Sequence, residues 1–317
     1  MATQWLRRSW LLATCASALL LAACGGGNIE SQFSPNRLVA FGDAMADLGQ
    51  NGARYTVNDG SQNNWTQYVA DQYNLPLAPS SAGGLSYASG NARVAAKPDA
   101  GGSNATPTVT EQVDAFLAAG GPADGDLLLV SAGTSDVIVQ VQAVLAGGQT
   151  EAEMLDQLGA AGAELGAQVR RLLDAGAQHI GLVGTHNLAR TPWGEQTGRQ
   201  SLMEEASQRF NDKLVVSLVD FGDRVRYVDA ALFFNTAFSS PASYGMTEST
   251  SMACASVDPG QGIGTGTGEV NSNLCTPATL APGVSYENWV FADRVYPSPQ
   301  AHRRFGEFAY NAIHERW

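Results

Sequence analysis

The chain has 317 residues, with 18 Lys+Arg against 30 Asp+Glu and a formal net charge of −12. A surface this acidic is repelled by nucleic-acid phosphates and anionic lipid headgroups, so neither is expected as a partner. The four histidines, at 179, 186, 302 and 314, have no metal-ligand spacing, and no metal or cofactor is expected.

Residues 1–23 read as an export signal. Arg7 and Arg8 precede an apolar stretch from Trp10 to Leu21 that is too short and wrongly flanked for a spanning helix. The stretch ends Leu21-Ala22-Ala23-Cys24-Gly25, which resembles a bacterial lipobox. That resemblance implies cleavage before Cys24 and lipidation of its thiol; an ordinary signal peptide with an incidental cysteine is the alternative. No Asp directly follows Cys24, which in such lipoproteins is compatible with outer-membrane sorting. The expected location is the cell envelope, with the membrane engaged only through the N-terminal lipid. Arg7 and Arg8 are the only charged residues before Cys24, so the mature chain carries 16 basic against 30 acidic residues, or −14. Residues 24–36, opening on three glycines, read as a flexible tether.

From 37 to 317 the pattern is that of one α/β domain. Short apolar strands at Leu38–Phe41, Leu127–Val130, Ile180–Val183 and Arg224–Val228 alternate with amphipathic helices. A helix runs from Thr150 to Ala175 and stops at Gly176, another from Ser201 to Val219, and Ser298-Pro299 opens the last. Trp65, Tyr68 and Tyr73 lie on a helix after the first strand and read as core and rim. Residues 239–285 break the pattern, being rich in Gly, Ser, Thr and Pro. They hold Cys254 and Cys275, an even remainder that in an exported chain reads as a disulfide closing a loop of about 20 residues. This segment is either a lid or binding element, or a stapled surface loop with no role in binding.

Four blocks fall where a parallel sheet places its sites, at the carboxyl ends of strands. They are Phe41-Gly42-Asp43-Ala44-Met45-Ala46-Asp47-Leu48-Gly49, Tyr87-Ala88-Ser89-Gly90-Asn91-Ala92, Gly133-Thr134-Ser135-Asp136, and Phe291-Ala292-Asp293-Arg294-Val295-Tyr296-Pro297-Ser298. In order and spacing they resemble the signature blocks of the GDSL (SGNH) ester hydrolases, whose usual forms are F-G-D-S-L-S-D-x-G-N, N-[FY]-A-x-G-G-A, G-x-N-D and [FW]-x-D-x-[VL]-H-P-T. The run around Cys254 and Cys275 resembles the secreted and autotransporter esterase branch. The resemblance covers essentially the whole mature chain. It implies a flavodoxin-like three-layer domain with a parallel sheet of about five strands. It also implies hydrolysis of carboxylic esters (lipid, short-chain acyl or acetylated glycan) through an acyl-serine, with no metal or cofactor.

The departures from those blocks bear on activity. Ala44 stands at the nucleophile position and Tyr296 at that of the base, and a phenol with a pKa near 10 is a poor proton acceptor at neutral pH. Ser135 replaces the oxyanion asparagine, and Asn91 follows Gly90 where a second glycine is usual. Asp293, Gly90 as an oxyanion donor, and the backbone amide of Ala44 remain. Losing a triad nucleophile lowers turnover on the order of a millionfold, and later losses add little. Weak or absent hydrolysis is therefore expected.

Two rescues stand open. His302, six residues past Tyr296, serves as an alternative base from the start of the last helix, or it is a helix-surface or supporting residue. Ser89, Ser131 or Ser135 could substitute as nucleophile only by leaving the elbow geometry. His186 follows the third strand and either lines the pocket or is a hydrogen-bonded loop histidine; His179 and His314 read as surface residues. Two functions follow: an esterase scaffold disabled at Ala44, or a non-catalytic lipoprotein that keeps the pocket to bind an acyl or glycan ligand.

Overall fold

The computed structural model describes residues 33–61 and 64–317. The signal segment, Cys24 and the tether up to residue 32 lie outside them. β1 (Arg37–Gly42) and β2 (Asp126–Ser131) pair in parallel, with Arg37 opposite Asp126 and Gly42 opposite Ser131. Both read as apolar runs because both faces are covered, and every residue but Arg37 is buried. Arg37 instead forks onto Asp126 at 2.6 Å, which closes the start of the pair. β3 (His179–Val183) and β4 (Val225–Val228) continue the sheet in the order β1-β2-β3-β4, all parallel.

The sheet therefore has four full strands rather than about five. The fifth position is held by residues 85–87 on the outer side of β1. Ala40 N–H donates to Leu85 O at 3.0 Å and Tyr87 N–H to Ala40 O at 2.7 Å. The segment goes no further as a strand because it folds back on 78–80: Ser86 N–H donates to Ala78 O and Ser80 N–H to Ser86 O. Counting it in, the spatial order is that of the flavodoxin-like sheet, whose switch point lies between β1 and β2.

Eight helices follow the strands among the described residues: α1 (Trp65–Gln72), α2 (Val109–Ala118), α3 (Thr134–Leu145), α4 (Glu151–Asp174), α5 (Pro192–Thr197), α6 (Gln200–Val216), α7 (Ala230–Ser239) and α8 (Pro299–His314). α4 is opened by a capping box in which Thr150 and Glu153 each accept the other's amide. It packs along α2 and α6, while α1 pairs with α8. Trp65 is fully buried against Phe305 of α8, and Tyr73 meets Tyr310 edge-on. None of these helices is long and apolar enough to cross a membrane.

The end of the expected tether is fastened to the domain. Phe33 N–H donates to Trp317 O, and its ring stacks on His179 at 3.6 Å. The irregular stretch after α7 contains one short strand, β5 (Glu248–Met252), paired in parallel with β6 (Trp289–Phe291). Cys254 and Cys275 are disulfide-bonded, and both are buried with Val57 and Ala292.

Candidate active site

β1 ends at Gly42, where φ is 143° and a Cβ would lie 1.8 Å from Ser131 O. Only glycine fits so close to β2 with that backbone. The chain then turns sharply. Asp43 N–H donates to Ser131 O, and the amides of Ala46 and Asp47 donate back to Asp43 O. Ala44 sits on this elbow with 1% of its surface exposed.

The Asp43 carboxylate holds the elbow. One oxygen accepts Met45 N–H at 3.1 Å; the other accepts the amides of Thr134 and Ser135 at 3.0 and 3.4 Å. α3 begins after Gly133 with no side-chain cap of its own, so Asp43 caps it from another strand. Burial pushes the Asp43 pKa up to about 7, against the pull of those amides. Asp47 binds the second block in the same way. Its Oδ1 accepts the amides of Gly49 and Gln50, and its Oδ2 accepts Gly90 N–H at 2.8 Å. Burial raises this carboxyl to about 6.

The amide of Gly90, the expected oxyanion donor, is thus spent on Asp47. The next residue, Asn91, takes the left-handed conformation with φ 63°. That explains why a glycine or asparagine is wanted there. The amides of Ala44 and Asn91 have no hydrogen-bond partner among the described residues. They are the donors available to an oxyanion at this turn.

The fourth block is also committed elsewhere. Asp293 Oδ1 accepts the amides of Val295 and Tyr296 at 2.8 and 2.7 Å, and Oδ2 accepts both N–H and Oγ–H of Ser272. Burial raises its pKa, and these bonds oppose the rise. None of them reaches His302. Tyr296 is fully buried beneath the elbow, with its pKa raised well above the ordinary phenol value by burial, then by Asp43 and Asp293. Ser135 is near enough to pull that value down. Yet neither Ser135 Oγ nor the Tyr296 hydroxyl makes a hydrogen bond of good geometry.

His302 lies in the first turn of α8, 1% exposed, with Nδ1 unpartnered. Burial, then the charges of Arg54 and the nearby His186, hold its pKa down to about 3. His186 donates from Nε2 to Val295 O at 3.1 Å and is held to about 4 by burial. It is the hydrogen-bonded loop histidine of the two readings.

Tyr55, which carried no signal in the sequence, covers the site. A Cβ built on Gly90 would come within 1.9 Å of its ring, and the ring meets Tyr296 edge-on at 5.5 Å. The disulfide loop seals the rest: Ser272 binds Asp293, Asn91 Nδ2 donates to Gly262 O at 2.9 Å, and Asn273 Nδ2 to Ala53 O at 2.9 Å. It is therefore built onto the candidate site rather than stapled to a distant surface. Sequence reasoning also missed the roles of Asp43 and Asp47, although both stand in the first block. Ala44, Ser135, Asp293, Tyr296 and His302 are all buried, at most 1% exposed.

The sequence from 38 to 309 matches the family described as GDSL-like Lipase/Acylhydrolase. "Lipase 1" of Photorhabdus luminescens is 34% identical over 94 residues, a match spanning 29% of this chain and 14% of that protein. Two solved structures are remote likenesses. An alpha/beta hydrolase from the metagenome of Lake Arreo, Spain, has a TM-score of 0.46 and 13% identity, over 89% of this chain and 98% of that one. A mutant acetyl-xylooligosaccharide esterase from Geobacillus Stearmophilus has a TM-score of 0.44 and 15% identity, over 89% and 95%. With a flavodoxin-like sheet, an elbow after its first strand and a family match across most of its length, the chain belongs to the GDSL-like lipase/acylhydrolase family.

Proposed function

We propose that this chain carries its family's ester-hydrolase scaffold at the cell envelope, anchored through Cys24, with turnover of carboxylic esters abolished or strongly reduced. One observation carries the proposal. Both oxygens of Asp293 are taken by Val295, Tyr296 and Ser272, so no carboxylate is left to orient a base, and the base position is a phenol. Ala44 removes the nucleophile. His302 supports no rescue, because burial holds it far from the neutral range where a general base works best. Binding of an ester at the elbow without turnover is the lesser alternative, since every side chain there is already packed.

The test is hydrolysis of p-nitrophenyl acetate and butyrate by the chain, by Ala44→Ser, and by Ala44→Ser with Tyr296→His. The unmodified chain is expected at background. Ala44→Ser alone stays at background, and the double substitution gains turnover. A family triad supplies about a millionfold when complete, so even a poorly aligned one is visible. Hydrolysis by the unmodified chain, abolished by chemical or mutational loss of a serine, would overturn the proposal. Restoration by Ala44→Ser alone would transfer the base role to His302.

A further inference from the structure

We infer that the amino edge of the sheet, where Val215, Val216 and Val219 are exposed, rests on the phospholipid surface of the membrane that holds Cys24, with the elbow turned toward the water. The inference rests on the anchoring proposed at Cys24 and adds a second contact to it. Among the described residues six large apolar side chains are exposed, and three of them cluster at the end of α6 and just past it: Val215 at 44%, Val216 at 66% and Val219 at 79%. Their spacing of i, i+1 and i+4 puts them on one face. Scattered apolar residues are ordinary on a surface, but a cluster marks a place where something docks.

The place of this face selects the partner. α6 returns the chain to the edge where Arg37, Asp126, His179 and Val225 open the four strands. The described chain enters at that same edge. The Phe33 ring stacks on His179, its amide donates to Trp317 O, and Trp317 Nε1 donates at 2.7 Å to the carbonyl of Asp223, four residues past Val219. Cys24 precedes Phe33 by nine residues, which span about 30 Å at full extension. A lipid on Cys24 therefore keeps this edge near the bilayer. The elbow lies at the other end of β1, which is six residues long, a further 20 Å or so away at the usual rise per residue.

The local charges permit the contact although the chain as a whole is acidic. Asp220 and Asp223, the carboxylates that follow Val219, are paired with Arg170 and Arg316. Asp212, Lys213 and Arg224 form no ion pair among the described residues. The charges around the valines thus roughly balance, in a chain whose formal net charge is −12. A face of this kind escapes the repulsion that the rest of the surface would meet at phospholipid headgroups. The half-buried Trp317 adds an aromatic of the type that settles at headgroup depth. Docked this way, the candidate site opens to the aqueous side, and a lipid still seated in the bilayer does not reach Ala44.

The test uses the chain from Cys24 onward, since residues 33–317 form one compact unit. The Cys24 thiol is joined to a maleimide lipid in vesicles of phosphatidylcholine and phosphatidylethanolamine, which tethers the chain whether or not a cell lipidates it. Amide hydrogen exchange is then compared with and without vesicles. The segment 213–224 is expected to exchange about tenfold more slowly on vesicles, as a face covered about nine-tenths of the time does, while residues 49–53, which follow the elbow, are unchanged. Val216→Asp with Val219→Asp is expected to abolish that difference and to leave the thermal transition in place, both valines being exposed. No slowing on vesicles overturns the inference. So does slowing that the aspartates leave intact, slowing at 49–53 instead, or concentration-dependent slowing without vesicles, the mark of a second copy on this face. Incorporation of labelled palmitate at Cys24 in cells reads the anchoring separately: its absence would sink that reading and leave the vesicle result to stand or fall alone.

Discussion

Replacing Asp43 with asparagine isolates one proton in the folding equilibrium of this domain. In the fold the carboxyl titrates at about 7 because it is buried, against an ordinary value of 3.8. A carboxyl raised by folding contributes its full share to stability below its unfolded pKa and loses it as pH rises through the folded one. The window is therefore pH 4 to 7. Each pH unit across it is worth about 1.4 kcal/mol, or about 4 kcal/mol in all, an upper bound for a group whose surroundings can relax. Asp47, at about 6, acts in the same direction. His186 and His302, at about 4 and 3, act in the opposite one: neutral in the fold, they lose stability as pH falls below about 6.5. Between pH 4 and 6 two carboxyls hold protons only in the fold and two imidazoles only in the unfolded chain, so these four contributions nearly cancel. The total pH dependence thus hides each one, and the difference between chains exposes it. Denaturant unfolding at pH 4.5, 5.5 and 6.5 should show the stability of the unmodified chain minus that of Asp43→Asn falling by about 1.4 kcal/mol per unit. The asparagine also loses an acceptor for Thr134 or Met45, an offset of about 1–3 kcal/mol that does not vary with pH. A difference that stays constant, or that grows with pH, would refute the assignment of a buried, neutral-poised carboxyl at the elbow.

The remaining predictions concern the sealed site. Gly90→Ala should destabilise the domain by about 1–3 kcal/mol, as overpacking does, because its methyl meets the Tyr55 ring. In a Tyr55→Ala background that cost should largely vanish, and a double-mutant cycle with no coupling would show that Tyr55 does not cover Gly90. Tyr296→Phe removes a buried hydroxyl with no hydrogen bond and should leave the thermal midpoint unchanged or raised; a clear drop would mean that the hydroxyl has a partner. The ester assay described above completes the set.

The first three strands were legible because each is covered on both faces and so reads as a largely apolar run. Leu38, Leu127 and Ile180 fall within one residue of where their strands begin. Thr150 and Ser298 were legible for a different reason, since a capping side chain and the amide it accepts lie three residues apart. What could not be read was long in range. Asp47 reaches Gly90 across 43 residues, and Asp293 reaches Ser272 across 21. No periodicity links such partners. The missing fifth strand failed for a related reason: Ser86 binds Ala78 and Ser80 as well as lying beside Ala40, and nothing in its apolar content announces that competition.

On the proposed reading, Tyr296 and Ser135 are the altered base and oxyanion positions, and they lie close enough to affect each other. A working hydrolase keeps a hydroxyl, an imidazole and an amide donor open to substrate, and such sites cost stability. On that reading the hydroxyl position is the methyl of Ala44, which needs no hydrogen-bond partner. The proposed imidazole position is a phenol, whose buried ring packs edge-on against Tyr55. Closing the site is not cost-free, since the Tyr296 hydroxyl and Ser135 Oγ are both buried without a good partner. A serine restored at 44 alone would add a third buried hydroxyl to this set, while burial holds the imidazoles of His302 and His186 far below the neutral range. Single reversion should therefore lower stability without giving turnover, and only the smaller imidazole at 296 both reopens the space and supplies the base.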